Sequence, residues 1–305
     1  MDELAQVDMV AVGLNATDTL IPLPEFPERG SKVEFTGTPS QPGGQAASAA
    51  VACSTWGLKV RYVGKLGTDD AARLHRQAFA EADVEARIVE VPGAQSAQSI
   101  ILVDDGGERT VLLRKDERLA LQPEEIDPAW VTHARLLLTD GQDTAAATCA
   151  AALARAVGIP VVADLDQAFA GVDALIENVD YLIVSRDFPG RLTGERNLPA
   201  ALRAIHARYG LKLAAATLGP DGVAAFDGSR MRHAAAYRVP VIDSTGAGDL
   251  FHAGFIYALL QGWPLEQQLD FACAAAALNC TATGARGGIG PVSLIHKLMA
   301  TASRY

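Results

Sequence analysis

The sequence predicts an α/β protein: one mainly parallel sheet with helices on both faces, and a small antiparallel β-sheet projecting from it. Strand-like and helix-like runs alternate through most of the 305 residues, the pattern of consecutive βα units. Near residues 94–115 that rhythm gives way to two β-rich runs joined by turn residues, the pattern of a hairpin. Apolar residues make up 49% and charged residues 20%, an ordinary globular balance that can bury a sizeable core.

Each element has its own signal. Asp8 to Leu14 is a short β-branched run with Gly13 at its end, a strand feeding a turn. Gln45 to Trp56 is Ala-rich without Gly or Pro, and Gly57 follows as the helix-ending glycine. Lys59 to Gly64 is the next strand, and Asp69 to Asp83 a helix capped by Thr68 or Asp69. The Pro-rich stretch Ile21 to Thr38 ends in a short strand candidate, Lys32 to Thr36. Gln98–Val103 and Arg109–Arg114 form the hairpin, with Asp104-Asp105-Gly106-Gly107 between them, because glycine supplies positive φ. Strands at Arg135–Thr139, Pro160–Asp164, Tyr181–Ser185 and Lys212–Thr217 then alternate with helical stretches such as Asp143–Val157 and Leu198–Tyr209. Ligands of such sheets sit beyond the carboxyl ends of the strands. Asn15, Asp18, Asp140, Asp164, Asp166 and Ser185 fall there.

Charge and cysteine usage exclude several classes. Lys and Arg total 26 against 36 Asp and Glu, a net charge of −10, which disfavours a backbone-hugging nucleic-acid binder or a polybasic membrane surface. No apolar run is long enough to span a bilayer, and the acidic start Met1-Asp2-Glu3-Leu4 is unlike a signal peptide. Cys53, Cys149, Cys273 and Cys280 form no CxxC pair, and the six histidines show no metal spacing. A disulfide scaffold or zinc site is not expected, and a reducing cytoplasm is the expected location. His252 and the pair Cys273 and Cys280 read as packing residues.

The stretch that carries chemistry is Asp243-Ser244-Thr245-Gly246-Ala247-Gly248-Asp249. Leu250, Phe251, Phe255, Ile256, Leu259 and Leu260 follow at helical spacing, and Gly262-Trp263-Pro264 ends the run. Gly246, Ala247 and Gly248 therefore begin a helix, where free backbone N–H groups and the helix dipole make an anion pocket suited to phosphate. Asp249 in the first turn is either a helix-stabilising carboxylate or a general base for an attacking hydroxyl, and the whole string favours the base.

That string closely resembles the signature of the ribokinase/PfkB family of ATP-dependent sugar and nucleoside kinases. Gly43-Gly44 before a small-residue helix resembles the family's N-terminal diglycine, and Thr217-Leu218-Gly219-Pro220-Asp221-Gly222 its nucleotide-side turn. Ser99 to Asp104 with Gly107 to Thr110, Ser185-Arg186-Asp187, and Gly284-Ala285-Arg286-Gly287-Gly288-Ile289 look closest to the ketohexokinase and sulfofructose kinase branch. The resemblance implies a ribokinase-like three-layer α/β/α core (1–14, 42–93 and 116–305) with a β-sheet lid (15–41 and 94–115). It implies transfer of the ATP γ-phosphoryl group to a sugar hydroxyl, with a ketose the favoured acceptor. Asp249, Gly246, Ala247 and Gly248 would be catalytic. Asp18, Gly43, Gly44, Gln45 and Ser48 would hold the sugar, with Arg109 either reaching down from the lid or solvated. Ser185, Thr217, Gly219, Gly222, Asn279 and Gly284 would border ATP. Asp164, Asp166 and Asp187 would serve Mg2+, mostly through water, and Asp243 and Thr245 a monovalent cation such as K+.

The chain also departs from the family pattern. Many members carry N-x-x-E before the nucleotide site, where this chain has Ser185 and Phe188. Ser48 stands where the family often has Asn. No arginine near Asp140-Gly141-Gln142-Asp143 would pair with an anionic substituent, which tilts the reading towards a neutral sugar. Two alternatives stay open: a nucleoside kinase of the same family, disfavoured because only Phe26 and Phe35 would stack on a base, and a non-catalytic sugar or nucleotide sensor. No G-x-G-x-x-G follows the first strand, which disfavours a dehydrogenase. Lid strands expose edges, so a homodimer pairing residues about 20 to 36 and 98 to 114 is expected.

Overall fold

The computed structural model describes residues 4–37, 40–104 and 109–305. In chain order the first strands are β1 (Met9–Val12), β2 (Ala16–Leu23), β3 (Gln41–Gly43), β4 (Val60–Leu66) and β5 (Glu85–Glu90). Then come β6 (Gln98–Asp104), β7 (Arg109–Arg114), β8 (Leu137–Thr139), β9 (Val161–Leu165) and β10 (Tyr181–Ser185). The last are β11 (Leu213–Thr217), β12 (Val223–Phe226) and β13 (Met231–Ala234). The helices are α1 (Gln45–Thr55), α2 (Asp70–Glu81), α3 (Pro128–Thr132), α4 (Thr144–Ala156) and α5 (Val172–Ile176). They continue with α6 (Phe188–Thr193), α7 (Leu198–Tyr209), α8 (Ala247–Leu260), α9 (Leu265–Asn279) and α10 (Val292–Thr301).

The nine-stranded sheet runs β13-β12-β11-β10-β9-β8-β1-β4-β5. Every pair from β11 to β5 is parallel, and β12 and β13 add an antiparallel edge. Residues alternate between two cores with the period of two that a pleated strand imposes. Met9 and Ala11 of β1, Ile183 of β10 and Ala215 of β11 face one core, formed largely with α1, α8, α9 and α10. Val10 and Val12, Leu182 and Val184, and Ala214 and Ala216 face the other, against α4, α5 and α7. Strands buried on both faces read as near-continuous apolar runs, which is why they were legible.

The small sheet has the order β3-β2-β6-β7. Its outer pairs are antiparallel, but the central pair β2–β6 is parallel over Thr17–Leu23 and Gln98–Asp104, so the sheet is mixed rather than antiparallel throughout. The strand expected at Lys32–Thr36 is absent; the second lid strand is β2 instead. Pro22 hid it from a propensity reading. Beyond Asp18 that side of β2 has no β3 partner, so the missing amide of Pro22 breaks no ladder bond. The Asp105-Gly106-Gly107 part of the hairpin turn lies outside the described residues, as does the side chain of Arg109.

Local signals for the helices hold. Asp69, not Thr68, caps α2 by accepting from the Ala72 amide (3.0 Å). Gly57 (φ +90°) and Gly262 (φ +73°) follow the ends of α1 and α8 in the left-handed region that glycine tolerates.

Candidate active site

Strand ends and two helix N-termini converge on one cleft. Beyond β1, the amide of Leu14 donates to Asp140 Oδ2 (2.6 Å), and the amide of Gln142 to Oδ1 (3.1 Å). Asp140 thus ties the ends of β1 and β8 together, and Gly13 is glycine because a Cβ there would overlap its carboxylate. Asn15 Nδ2 donates to Tyr62 Oη (2.8 Å), and that hydroxyl donates to Gly13 O (2.7 Å).

Asp18 is buried on β2 opposite Ser99 of β6, whose side chain hydrogen-bonds it. Gly43 abuts the same carboxylate, and a Cβ at Gly43 would displace it. Gly44 (φ +88°) lies against the backbone of Leu14 and Asn15 and turns the chain into α1. Gln45 follows, accepting from Gln142 Nε2 (3.1 Å). Ser48, one turn on, is fully buried. Burial pushes Asp18 up to about 6, against the opposing pull of Ser99 and Arg286.

The N-terminus of α8 forms the opposite wall. Gly246 is its N-cap (φ +75°), packed on the Ala285 backbone where no Cβ fits. Of the two amides expected to face an anion, that of Ala247 already donates to Ser244 O (3.2 Å). The amides of Gly248 and Asp249 have no partner among the described residues, and the Cβ side of Gly248 is open space. Asp249 is pushed up to about 7, chiefly by burial and next by the charge of Asp164. His252 and Arg286 pull it back.

A cavity of about 600 Å³ runs from this point towards β11 and β12. Gln45, Asp164, Asp166, Ser185, Thr217, Gly219, Gly222, Gly246, Ala247, Gly248 and Asp249 line it. Residues far apart in sequence thus share one surface, with Val239, Val241, Ala276, Ala277 and Cys280 also lining it. Ala276, Ala277 and Cys280 fall in the Ala-rich run Ala274–Gly284, which resembles the family's adenine border, whereas Val239 and Val241 belong to no motif and join them through the packing of α9 against the β13–α8 connection.

Not every expected residue reaches the cavity. Asn279 is fully buried, donating to Thr245 O (2.9 Å) and Ala285 O (3.2 Å) and accepting from the Gly288 amide (3.1 Å). All its capacity near the site is spent on holding loops. Gly284 is likewise a tether, its amide donating to Asp243 Oδ2 (2.7 Å). Asp187 is exposed and lines a separate surface depression with Arg186, Arg191 and Arg196. His252, read as a packing residue, is buried but also lines the cavity, with Nδ1 3.2 Å from Asp164 Oδ2 and 2.8 Å from Gly248 O.

The donor sets for cations are all oxygen. Asp166 Oδ1 is buried without a partner, beside the Asp164 carboxylate, which burial and the charges of Asp166 and Asp140 raise well above its ordinary range. Two such carboxylates suit a hard, partly hydrated divalent cation. Asp243 Oδ1 accepts from the Thr245 amide (2.9 Å), while the Thr245 hydroxyl is buried without a partner. Among the described residues no group of three or more His, Cys, Asp or Glu side chains could hold a metal.

The chain matches the pfkB family carbohydrate kinases over residues 7–290. It is 26% identical over 290 residues to a ribokinase of Haemophilus influenzae, covering 92% of this chain and 94% of that one. It is 28% identical over 268 residues to a fructokinase of Klebsiella pneumoniae, covering 80% and 87%. The fold matches the structure of Arabidopsis thaliana ribokinase complexed with ribose and ATP, with a TM-score of 0.79 at 23% identity over 97% of this chain and 99% of that one.

Proposed function

Because the chain belongs to the pfkB family of carbohydrate kinases and is an ATP-dependent sugar kinase, we propose that it phosphorylates a neutral ketose, with Asp249 as the general base. The observation that carries this reading is the juxtaposition at the start of α8. A carboxylate poised near 7 sits beside amides with no partner among the described residues, and both line a cavity of about 600 Å³.

Asp18, Gly44, Gln45 and Ser48 orient the sugar. Asp249 takes the proton of the attacking hydroxyl as its oxygen bonds to the γ-phosphorus and the bond from that phosphorus to ADP breaks. Ala247 and Gly248 form the N-terminal turn around the transferring phosphoryl, with the Gly248 amide the free donor of the two. Positioning and electrostatic stabilisation supply most of the rate enhancement in such transfers. Ser185, Thr217, Gly219 and Gly222 border the nucleotide, and Asn279 and Gly284 act behind them as braces.

Asp164 and Asp166 would hold magnesium, directly or through water, where it neutralises phosphate charge. Asp187 would join only through water across the surface. Asp243 and Thr245 would hold a monovalent cation against the α8 turn; omitting potassium should then lower kcat without unfolding the protein.

The segments 15–41 and 94–115 would close as a lid, with Arg109 at its edge, and exclude water from the transfer. Ile100 and Leu112, cross-strand partners 37% and 54% exposed, mark the face for a homodimer. Among the described residues no helix is long and apolar enough to cross a membrane.

The test is ADP release from ATP and magnesium with ketoses, aldoses, sugar phosphates and nucleosides. Turnover preferring a ketose supports the reading. Turnover confined to nucleosides, or to anionic sugars, contradicts it.

A further inference from the structure

Arg286 crosses from the loop after α9 to the diglycine, more than 230 residues away in sequence. Its Nε donates to Ser48 Oγ (3.2 Å) and its Nη2 to Gly43 O (2.9 Å). Nη1 is buried and has no hydrogen-bond partner among the described residues. The guanidinium lies 6.0 Å from the Phe79 ring centroid, and Phe79 stacks on Tyr62 at 4.6 Å. Arg286 forms no ion pair among the described residues, yet its charge acts on both Asp18 and Asp249.

The backbone either side of Arg286 is fixed. Gly284 N–H is held by Asp243, while Ala285 O and Gly288 N–H are held by Asn279. The side chain is therefore aimed rather than wandering. An orphaned buried donor costs about 1–3 kcal/mol, more when charged, so such groups call for a partner that the isolated chain lacks. Two of the three guanidinium nitrogens grip residues proposed to hold the sugar. The third has no partner among the described residues, while the charge of the group acts on both the carboxylate proposed to bind the sugar and the one proposed to deprotonate it.

We propose that Arg286 is a substrate-binding residue that sets acceptor specificity: Nη1 donates to one oxygen of the acceptor sugar, while Nε and Nη2 fix its aim through Ser48 and Gly43. The inference rests on the assignment of Asp18 and Ser48 to the sugar. A planar fork held at two points reads one oxygen position and discriminates against analogues that lack it.

The experiment compares wild type, Arg286→Lys and Arg286→Gln on D-fructose, D-ribose and their monodeoxy analogues, with KM for ATP and Tm as controls. In wild type, removal of one particular hydroxyl raises the sugar KM at least about tenfold, the range for a hydrogen bond to a charged donor. In either variant the sugar KM rises by a similar factor, the ATP KM stays within about twofold, and removal of that same hydroxyl changes KM by less than about threefold. A purely structural brace would leave the variants as sensitive to every hydroxyl as wild type, and that result overturns the proposal. Should neither variant fold, the wild-type series decides: no single hydroxyl worth more than threefold overturns it too. Wild type silent on both sugars contradicts the substrate reading itself, and shows without reference to Arg286.

Discussion

Asp249, the proposed general base, would trade stability for chemistry. Its ordinary value is 3.8, and the folded site raises it to about 7. The native state therefore binds a proton that the unfolded chain releases between those limits. Stability from this group is full below about pH 4 and is lost as pH rises through 7. Asp18 and Asp140, each raised to about 6 by burial, act in the same direction. Asp249→Asn should accordingly raise Tm at pH 8 by about 2 °C or more, and much less at pH 4. A Tm lowered at both pH values would contradict the assigned sign. With Asp249 as the proposed base, the acidic limb of the pH dependence of kcat/KM should fall near 7, because only the ionised carboxylate accepts a proton. At this scale the helix N-terminus at Gly246-Ala247-Gly248-Asp249 was readable because it is local: four consecutive residues make it. Arg286 was just as plain in the sequence, but its proposed role depends on Ser48 and Gly43, which only the folded chain brings within 3.2 Å and 2.9 Å.

The elements divide according to how much of their reason is internal. Strands β10 and β11 are apolar on both faces and could be placed from composition alone. Strand β2 could not, since Asp18 and Pro22 depress its propensity while parallel pairing with β6 holds it. The lid strand expected at Lys32–Thr36 reflects the opposite error: β-branched residues with no partner to pair against. Helix α8 depends on its first residue. Gly246 combines φ +75° with contact on the Ala285 backbone, so Gly246→Ala should destabilise the protein by at least about 1 kcal/mol and push α8 off the loop carrying Arg286. Urea unfolding midpoints check this; an unchanged midpoint would mean the α8 turn is not under the constraint described.

At the scale of the molecule, one wide nine-stranded sheet stands beside a small mixed sheet of four strands, the proposed lid. Polar residues gather where the parallel strands of the large sheet end, the position expected for ligands of an open α/β sheet. The exposed apolar side chains Ile100 and Leu112 have no such local logic, and the proposed second copy would cover them. Leu112→Asp should convert a dimer into a monomer by light scattering while leaving the ATP KM within about twofold. A wild-type protein monomeric at micromolar concentration would contradict the lid-mediated assembly. The account as a whole turns on one proton transfer inside this frame. The most direct measurement is kcat for sugar phosphorylation by Asp249→Asn against wild type at pH 8, with the ATP KM as control. A fall of about 10² to 10⁴ with the ATP KM within about threefold is the predicted result; a fall of less than tenfold would contradict Asp249 as the base.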